Sequence, residues 1–480
     1  MKASTAPAAA PDFPGHLTAF VENERRRADV AGVAVAAFDR DGIQFAGGFG
    51  HADIGRGEPV TPDTLFRAAS ITKLFTTTLV LQEVEAGRLA LDDLANSHLD
   101  GRTKILNRKG REAQATIRHL LTHTSGLPVS WRGLEYGPLP YRLLVNEGRA
   151  RRTLRDLITG QRTTRAPGKR LVYSNGAFET LGYIVERLNG RPYDELLRLR
   201  VLDPLQMPRS SVAVAPSGPG TAIPYGGLMA GAGRRPAPAI RNYSGPAGAL
   251  LTSALELSRF GRMVLRGGEL DGSRILSEES LRKATALGSR NHPDLDEGLG
   301  LGFWVSWFHG RWIASHDGGL AGVSTRIAVS PSDGIGVTVL TNGADPLFVH
   351  RVADCVLESI LGLDPEVVPG APAGVPPGLA PEWREFTQRV QGKYRVMDLA
   401  PPGPLAAMLG LTARPRLTDA GGCTLALEGV GKEPGFLYPD GDIGRFRVAY
   451  PLGNGTRAVI EERADGTHIW ASILHLFRPR

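Results

Sequence analysis

Cysteine is almost missing from this chain of 480 residues. Its two cysteines, Cys355 and Cys423, stand far apart in different regions. The sequence therefore indicates neither a disulfide framework nor a zinc site built on cysteine ligands. The redox compartment stays open on this evidence.

Long hydrophobic runs are missing as well. No stretch of about 18 apolar residues occurs, so the sequence predicts no membrane-spanning helix. Residues 1–14 are rich in Ala and Pro and lack the apolar segment that a signal peptide carries. We therefore expect a cytoplasmic protein, or a periplasmic or secreted one if a leader is missing from this numbering.

A strong charge of one sign is also lacking. Lys and Arg total 56 and Asp and Glu total 49, which gives a formal net charge of +7. Because this excess is modest for the length of the chain, we predict no nucleic-acid partner. Hydrophobic residues make up 42% and charged residues 22%, as in an ordinary globular protein.

The chain is longer than one hydrophobic core usually serves, so we predict a large domain and a smaller one. Residues 362–381, rich in Pro, Gly and Ala, are the predicted linker. Residues 16–361, after a flexible N-terminus at 1–15, combine helical patterns with antiparallel strand patterns, which predicts an α+β domain. Residues 382–480 contain short strand-like pieces separated by turns, which predicts a small all-β, lipocalin-like barrel.

A Ser-x-x-Lys element, Ser70 to Lys73, stands at the head of an apolar helix that runs toward Gly87. Positions i and i+3 are neighbours on a helix, so the hydroxyl and the amine can approach within hydrogen-bonding distance. A desolvated lysine with a lowered pKa can take the proton of a serine and make it a nucleophile. The positive end of the helix dipole favours the negative charge that develops there. Because four-residue patterns arise by chance, this element indicates a catalytic site only if further motifs in the chain support it.

Two further stretches carry suitable groups. Tyr173 and Asn175 lie two residues apart, so their side chains point the same way in an extended segment. Tyr173 can relay a proton, while the Asn175 amide can hold Lys73 and a substrate carbonyl. The third stretch, residues 315–320, contains His316, Gly318 and Gly319 at the end of a predicted edge strand, where glycines permit close approach of a substrate.

Taken in order, these three motifs resemble the penicillin-recognising serine enzymes. The similarity is to the class C β-lactamase-like group, which includes DD-peptidases, D-aminopeptidases and family VIII carboxylesterases. It covers about residues 16–361 and includes the family-like phrases at 120–128 and 250–254. The resemblance implies a central antiparallel sheet flanked by helices.

The resemblance also implies roles for individual residues. Ser70 is the acylated nucleophile, Lys73 its base partner, and Tyr173 with Asn175 the second motif. His316 and Gly318 belong to the third motif. The N–H groups of Ser70 and Gly319 are the expected oxyanion hole. No metal or cofactor is implied, the substrate is a small molecule or peptide, and the oligomeric state stays open.

The third motif departs from the Lys-Thr-Gly that many β-lactamases carry. Here the chain reads His316-Asp317-Gly318. A fixed ammonium that would pair with a substrate carboxylate is therefore absent. His316 can do so only when protonated, near or below its usual pKa of about 6.5.

We favour a hydrolase of small esters, D-amino-acid amides or peptides. One alternative of the same fold is a β-lactamase or DD-peptidase, and an alternative of another class is a non-catalytic sensor that deacylates slowly. An ordinary triad of Ser70, His316 and an Asp is disfavoured because no Gly-x-Ser-x-Gly elbow surrounds Ser70.

Other polar groups receive simpler interpretations. Residues 292–297 lack a Ca²⁺-loop pattern and are predicted to form a solvated turn. His123 is predicted to be a structural hydrogen-bonding residue. The nine basic residues between 142 and 170 are predicted to line a solvated helical surface, with a rim favouring acidic substrates as the alternative.

Overall fold

A computed structural model describes residues 13–128, 153–212, 218–226, 234–237, 245–363, 380–396, 415–429, 435–440, 442–449, 456–471 and 474–479. Residues 1–12 of the predicted N-terminus, 142–152 of the basic stretch and 364–379 of the predicted linker lie outside this range. Within the described ranges, no helix is both long and apolar enough to cross a membrane.

Helices and strands alternate along the large domain. Its helices are α1 (Phe13–Arg27), α2 (Thr72–Glu85), α3 (Ile117–Leu121), α4 (Leu154–Ile158), α5 (Asn175–Asn189), α6 (Tyr193–Leu197), α7 (Gly245–Gly248), α8 (Ala254–Leu265), α9 (Glu278–Thr285) and α10 (Pro346–Leu361). Its strands are β1 (Gly32–Asp39), β2 (Ile43–Asp53), β3 (Glu58–Pro59), β4 (Phe66–Arg67), β5 (Ser211–Val212), β6 (Leu250–Thr252), β7 (Glu269–Leu270), β8 (Ser273–Arg274), β9 (Gly298–Leu299), β10 (Trp304–Phe308), β11 (Arg311–Leu320), β12 (Val323–Ser330) and β13 (Ile335–Thr341).

Eight of these strands form one antiparallel sheet in the order β3-β2-β1-β13-β12-β11-β10-β9. The central strand β1 is buried on both faces because alternate residues point to opposite sides. Ala34 and Phe38 pack into a core with α2 and α8, whereas Val33 and Val35 pack into a second core with α1 and α10. The predicted antiparallel sheet flanked by helices is therefore confirmed.

Helix α2 lies in the middle of the larger core. The stacked rings of Phe75 and Phe260, 4.3 Å apart, join it to α8. Most of its residues are buried, including Lys73. Its nearly all-round apolar sequence predicts this central position, which the structure confirms.

The strand that carries the third motif is not an edge strand of the sheet. Strand β11 lies between β10 and β12, so this prediction is wrong. However, β10 pairs only with residues 311–315 of β11. Among the strands that the structure describes, residues 316–320 pair with β12 alone.

The C-terminal part is a barrel. Its strands are β14 (Gly392–Lys393), β15 (Arg395–Val396), β16 (Arg416–Gly421), β17 (Thr424–Glu428), β18 (Gly435–Pro439), β19 (Arg445–Ala449), β20 (Thr456–Arg463), β21 (Gly466–Ala471) and β22 (Leu474–Pro479). The sheet begins with β14 and ends with β15, which only Tyr394 separates in the chain, so it is nearly closed. Helix α11 (Ala380–Val390) contributes Trp383 and Phe386 to its core. The predicted C-terminal barrel is confirmed.

Candidate active site

Ser70 lies in a short 3-10 turn in front of α2. The residue before it, Ala69, has a φ of +50°, a left-handed conformation that is unusual outside glycine. Thr72 Oγ1 donates a hydrogen bond to the Ala69 carbonyl at 2.5 Å, and Thr325 Oγ1 donates to the Ala68 carbonyl at 2.9 Å. The two carbonyls that precede Ser70 are thus fixed, while Ser70 itself remains partly exposed.

Lys73 is the amine nearest to this hydroxyl. Its Nζ lies 3.1 Å from Ser70 Oγ and donates to the Ala247 carbonyl at 2.7 Å. Burial lowers the pKa of Lys73 to about 7, against an opposing effect of the Glu179 carboxylate. A large fraction of the amine is therefore neutral at neutral pH and can accept the Ser70 proton.

Tyr173 covers this amine. The Lys73 Nζ lies 4.8 Å from the centroid of the Tyr173 ring. Burial raises the pKa of Tyr173 well above its usual value, although its hydrogen bond with Ser70 acts in the opposite direction. The phenol stays protonated and can donate its hydrogen to a leaving group. Trp304 lies parallel to Tyr173, with ring centroids 6.5 Å apart.

His123 holds the second motif in place. Its Nδ1 accepts a hydrogen bond from the Ser174 backbone N–H at 3.0 Å, and its carbonyl accepts one from Val172 at 2.7 Å. The His123 and Tyr173 rings lie 4.3 Å apart. Burial lowers the pKa of His123 well below its usual value, so the ring is neutral. These contacts match the predicted structural role.

Asn175 is the first residue of α5, directly after the capping residue Ser174. The described acceptors of Lys73 do not include Asn175, contrary to the prediction that its amide holds Lys73. The Ala247 carbonyl takes that place. The sequence gives no sign of Ala247, because a backbone carbonyl leaves no side-chain signal. Glu179 could have been predicted, since its position four residues after Asn175 places both on one face of α5.

His316 is 2% exposed, so its ring is buried in the site. Its Nδ1 lies 2.7 Å from the Asp317 carbonyl oxygen, so Nδ1 carries the hydrogen and Nε2 keeps a lone pair. Burial and the nearby Lys73 lower the pKa of His316 to about 4. Pairing of a protonated His316 with a carboxylate near neutral pH, as the sequence suggested, is therefore not supported.

Gly318 packs against the nucleophile turn. A Cβ at this position would lie 2.2 Å from both the Ala68 oxygen and Thr325 Oγ1. At Gly319 a Cβ would have no atom within 4 Å. The predicted oxyanion role of the Gly319 N–H stays a prediction.

The Asp317 carboxylate belongs to a different cluster. It accepts hydrogen bonds from Arg326 Nη1 at 2.7 Å and binds His350 Nε2 at 3.0 Å. Burial alone would raise the pKa of Asp317, but these two partners hold it far below its usual range. Since His316 bonds the carbonyl and not the carboxylate of Asp317, the site lacks the Ser-His-Asp arrangement of an ordinary triad.

The segment 292–297 is not the solvated turn that was predicted. His292 Nε2 lies 3.0 Å from Glu461 of the barrel, and Asp294 pairs with Arg445. His292, Asp294 and Glu461 could group around a cation, since their ligand atoms lie within 4.8 Å of one another. However, Arg445 contacts both carboxylates and already supplies a positive charge.

Known proteins are similar to this chain in sequence and in fold. Residues 17–357 match the sequence model described as Beta-lactamase. Penicillin-binding protein 4 of Amycolatopsis lactamdurans is 31% identical over 332 residues, which cover 65% of this chain and 81% of that protein.

Two solved structures extend the comparison. The octameric penicillin-binding protein homologue from Pyrococcus abyssi has a TM-score of 0.61 at 24% identity, covering 97% of this chain and 99% of that one. A D-stereospecific amidohydrolase from Streptomyces sp. has a TM-score of 0.58 at 25% identity, covering 71% of this chain and 98% of that one. The first match spans the barrel as well as the large domain.

Proposed function

Because the chain belongs to the Beta-lactamase family, we propose that it is a serine hydrolase that cleaves an ester or amide through an acyl-enzyme on Ser70. One observation carries the proposal: the buried Lys73 amine lies 3.1 Å from Ser70 Oγ and has a pKa lowered to about 7. This is the arrangement that an unprotonated lysine base requires.

The reaction proceeds in two steps. Ser70 Oγ bonds to the substrate carbonyl carbon while its proton passes to Lys73. The N–H groups of Ser70 and Gly319 stabilise the oxyanion. As the carbonyl re-forms, the bond to the leaving alcohol or amine breaks, and Tyr173 donates the proton that this group needs while Lys73 passes the Ser70 proton on to the Tyr173 oxygen. A water molecule then attacks the acyl ester and gives a proton to Lys73. The bond between the acyl carbon and Ser70 Oγ breaks, Ser70 Oγ takes up this proton, and the carboxylic acid leaves.

The proposed substrates are small esters, D-amino-acid amides and peptides without a carboxylate facing His316. The neutral His316 offers a lone pair at Nε2, which accepts a hydrogen bond and repels an anion. The similarity to a D-stereospecific amidohydrolase supports an amide substrate.

A β-lactamase or DD-peptidase activity is the second candidate, supported by the 31% identity to a penicillin-binding protein. A sensor that is acylated but hydrolyses slowly is the third. These three differ in the fate of the acyl-enzyme rather than in its formation.

The test is intact-mass analysis combined with product release. Wild type, Ser70→Ala and the exposed control Ser97→Ala are each incubated with a p-nitrophenyl ester, a D-amino-acid amide and a penicillin. Ser70-dependent turnover of the ester or amide supports the proposal, and turnover of the penicillin supports the second candidate. A persistent adduct supports the sensor. No Ser70-dependent reaction with any of them would overturn the mechanism.

A further inference from the structure

The C-terminal barrel contacts the large domain on both sides of Tyr173. On one side is Arg170, which lies three residues before Tyr173 in the chain. Its Nη2 lies 2.5 Å from Nδ1 of His475 in the barrel. On the other side, the Trp470 ring packs on His292 at 4.8 Å. The His292 segment leads into β9 and β10, and β10 carries the Trp304 that lies parallel to Tyr173.

The hydrogen-bond chain behind Arg170 has a fixed direction. A guanidinium only donates, so Nδ1 of His475 accepts and its Nε2 carries the hydrogen. That Nε2–H donates to His468 Nδ1 at 2.9 Å, and His468 Nε2–H donates to Asp465 at 2.9 Å. The chain therefore runs from Arg170 in the large domain to Asp465 in the barrel.

Packing fixes the position of His475 as well. The residue is 4% exposed. Its ring lies parallel to those of His468 and Trp470, with centroids 5.2 and 5.1 Å away. Because His475 contacts both rings and forms a hydrogen bond with His468, its Nδ1 is held in one place, and Arg170 must come to it.

The segment between Arg170 and Ser174 is thus held from two domains. His123 of the large domain binds the N–H groups of Val172 and Ser174. His475 of the barrel binds the side chain of Arg170. Tyr173 lies between these attachment points, with its ring against Lys73.

We infer that His475 is a positioning residue for the catalytic centre, which fixes the Tyr173 segment by accepting the hydrogen bond of Arg170. This inference rests on the proposed function, because it gives the barrel a part in the reaction at Ser70. The barrel contacts the large domain at Arg170, three residues before Tyr173, and at His292.

Two amide variants of the full-length protein distinguish the roles of the two ring nitrogens of His475. His475→Asn places an amide oxygen near the position of Nδ1 and keeps an acceptor for Arg170. His475→Gln places its amide near the position of Nε2 and leaves that acceptor out. The two variants are similar in polarity and in burial, so each is the control for the other.

Two readouts are measured for these variants and for Arg170→Met. One is the rate constant for Ser70 labelling by a fluorophosphonate, followed by intact mass. The other is kcat and KM for a p-nitrophenyl ester, normalised to the fraction of Ser70 that is finally labelled, so that unfolded protein does not count.

His475→Gln and Arg170→Met are expected to lower the labelling rate and kcat by about 10-fold to 100-fold with little change in KM, since small misplacements of catalytic groups have effects of this size. His475→Asn is expected to stay within about threefold of wild type, because it keeps the acceptor that Arg170 needs. The double variant Arg170→Met/His475→Gln is expected to be no slower than either single variant, because both changes remove the same contact.

Wild-type labelling rates in His475→Gln and Arg170→Met, or an equal loss in His475→Asn, would overturn the inference. Failure of the proposed function is distinct from this result: wild type would then be labelled at Ser70 and yet release no product from ester or amide. The labelling rates would still decide the positioning role in that case. Absence of any labelling in wild type would overturn both.

Discussion

Lys73 Nζ donates a hydrogen bond to the carbonyl oxygen of Ala247, 2.7 Å away, although 174 residues separate the two in the chain. A neutral amine that donates on this side can turn its lone pair toward Ser70. Helix α7, which contains Ala247, is held close by a second bond, from Thr76 Oγ1 to the Pro246 carbonyl at 2.6 Å. Gly182 of α5 allows this approach, since a Cβ there would lie 2.1 Å from Pro246.

The first prediction concerns pH. Because the pKa of Lys73 is lowered from 10.5 to about 7, kcat/KM should rise as pH increases through about 7 and then level off. In Lys73→Arg the side chain stays protonated, and the acylation rate should fall by about 10²-fold to 10⁴-fold, the usual contribution of a general base. Stopped-flow acylation rates between pH 5 and pH 9 test this.

The same shift affects stability. Between pH 7 and pH 10.5 the unfolded chain binds the Lys73 proton more strongly than the folded protein does. The contribution of Lys73 to the unfolding free energy therefore becomes more favourable as pH rises through this window.

For the kinetic prediction, an acylation rate that is flat from pH 5 to pH 9 would contradict the assignment of Lys73 as the base.

The sequence predicts the parts of the site that side chains encode. Ser70 with Lys73, Tyr173 with Asn175, and His316 with Gly318 carry chemistry in their residue types. The continuous apolar run of β1 indicates a strand buried on both faces. The Ala247 carbonyl has no such signature. The low pKa of His316 depends on burial, which arises from packing between distant segments.

The surface through which the barrel contacts the large domain could not be predicted from the sequence either. Residues 292–297 look like a hydrophilic turn, because charged residues near a proline are typical of exposed loops. Their partners, Glu461 and Arg445, lie more than a hundred residues away in the chain. Ion pairs between separate domains carry no local sequence signal.

The second prediction concerns a buried carboxylate at the far end of α2. The Glu83 side chain is 0% exposed and binds Arg88 at 2.6 Å, Arg200, and Asn189 at 3.0 Å. Burial alone would raise the pKa of Glu83, but these hydrogen bonds outweigh it and lower the pKa. Its stabilising contribution is therefore present above the unfolded pKa and is lost as pH falls through the folded pKa.

Replacing Glu83 with Gln should lower the unfolding free energy by about 1.5 kcal/mol, because the partly exposed Arg88 and Arg200 lose the charge-assisted hydrogen bonds that the buried carboxylate accepts. Urea denaturation at pH 7 measures this change. Glu279→Gln is the matched control: Glu279 forms an exposed pair with Lys283 on α9, and the loss of this pair should change the unfolding free energy much less. Equal effects of the two changes would contradict the prediction.

The third prediction concerns the charge of His316. Its pKa is lowered to about 4, so the ring should stay neutral from pH 8 down to pH 6. The ratio of kcat/KM for an ester with a terminal carboxylate to that for its neutral counterpart should therefore not change over this range. Lys73 protonation slows both esters alike and cancels in the ratio.

His316→Lys supplies the positive control for this measurement. An ammonium at this position should raise the ratio in favour of the carboxylate ester by about 10-fold, the effect of one charge-assisted hydrogen bond of roughly 1.5 kcal/mol. A wild-type ratio that rises toward pH 6 would show that His316 takes up a proton there and would contradict its assignment as a neutral acceptor.

The fourth prediction compares the two neighbouring glycines of the third motif. A Cβ on Gly318 would lie 2.2 Å from the Ala68 oxygen, whereas one on Gly319 would meet nothing within 4 Å. Neither residue has a positive φ, so alanine is compatible with both backbones. Gly318→Ala should therefore push β11 away from the Ser70 turn, while Gly319→Ala keeps its N–H in place.

We expect kcat to fall by about 100-fold or more in Gly318→Ala and by less than about 10-fold in Gly319→Ala, because misplacing the oxyanion donor by about 1 Å is enough for the larger loss. Steady-state kinetics on both variants, with melting temperatures to show that each is folded, measure the difference, and equal kcat values would mean that the packing of Gly318 on Ala68 does not set the distance between the strand and the nucleophile.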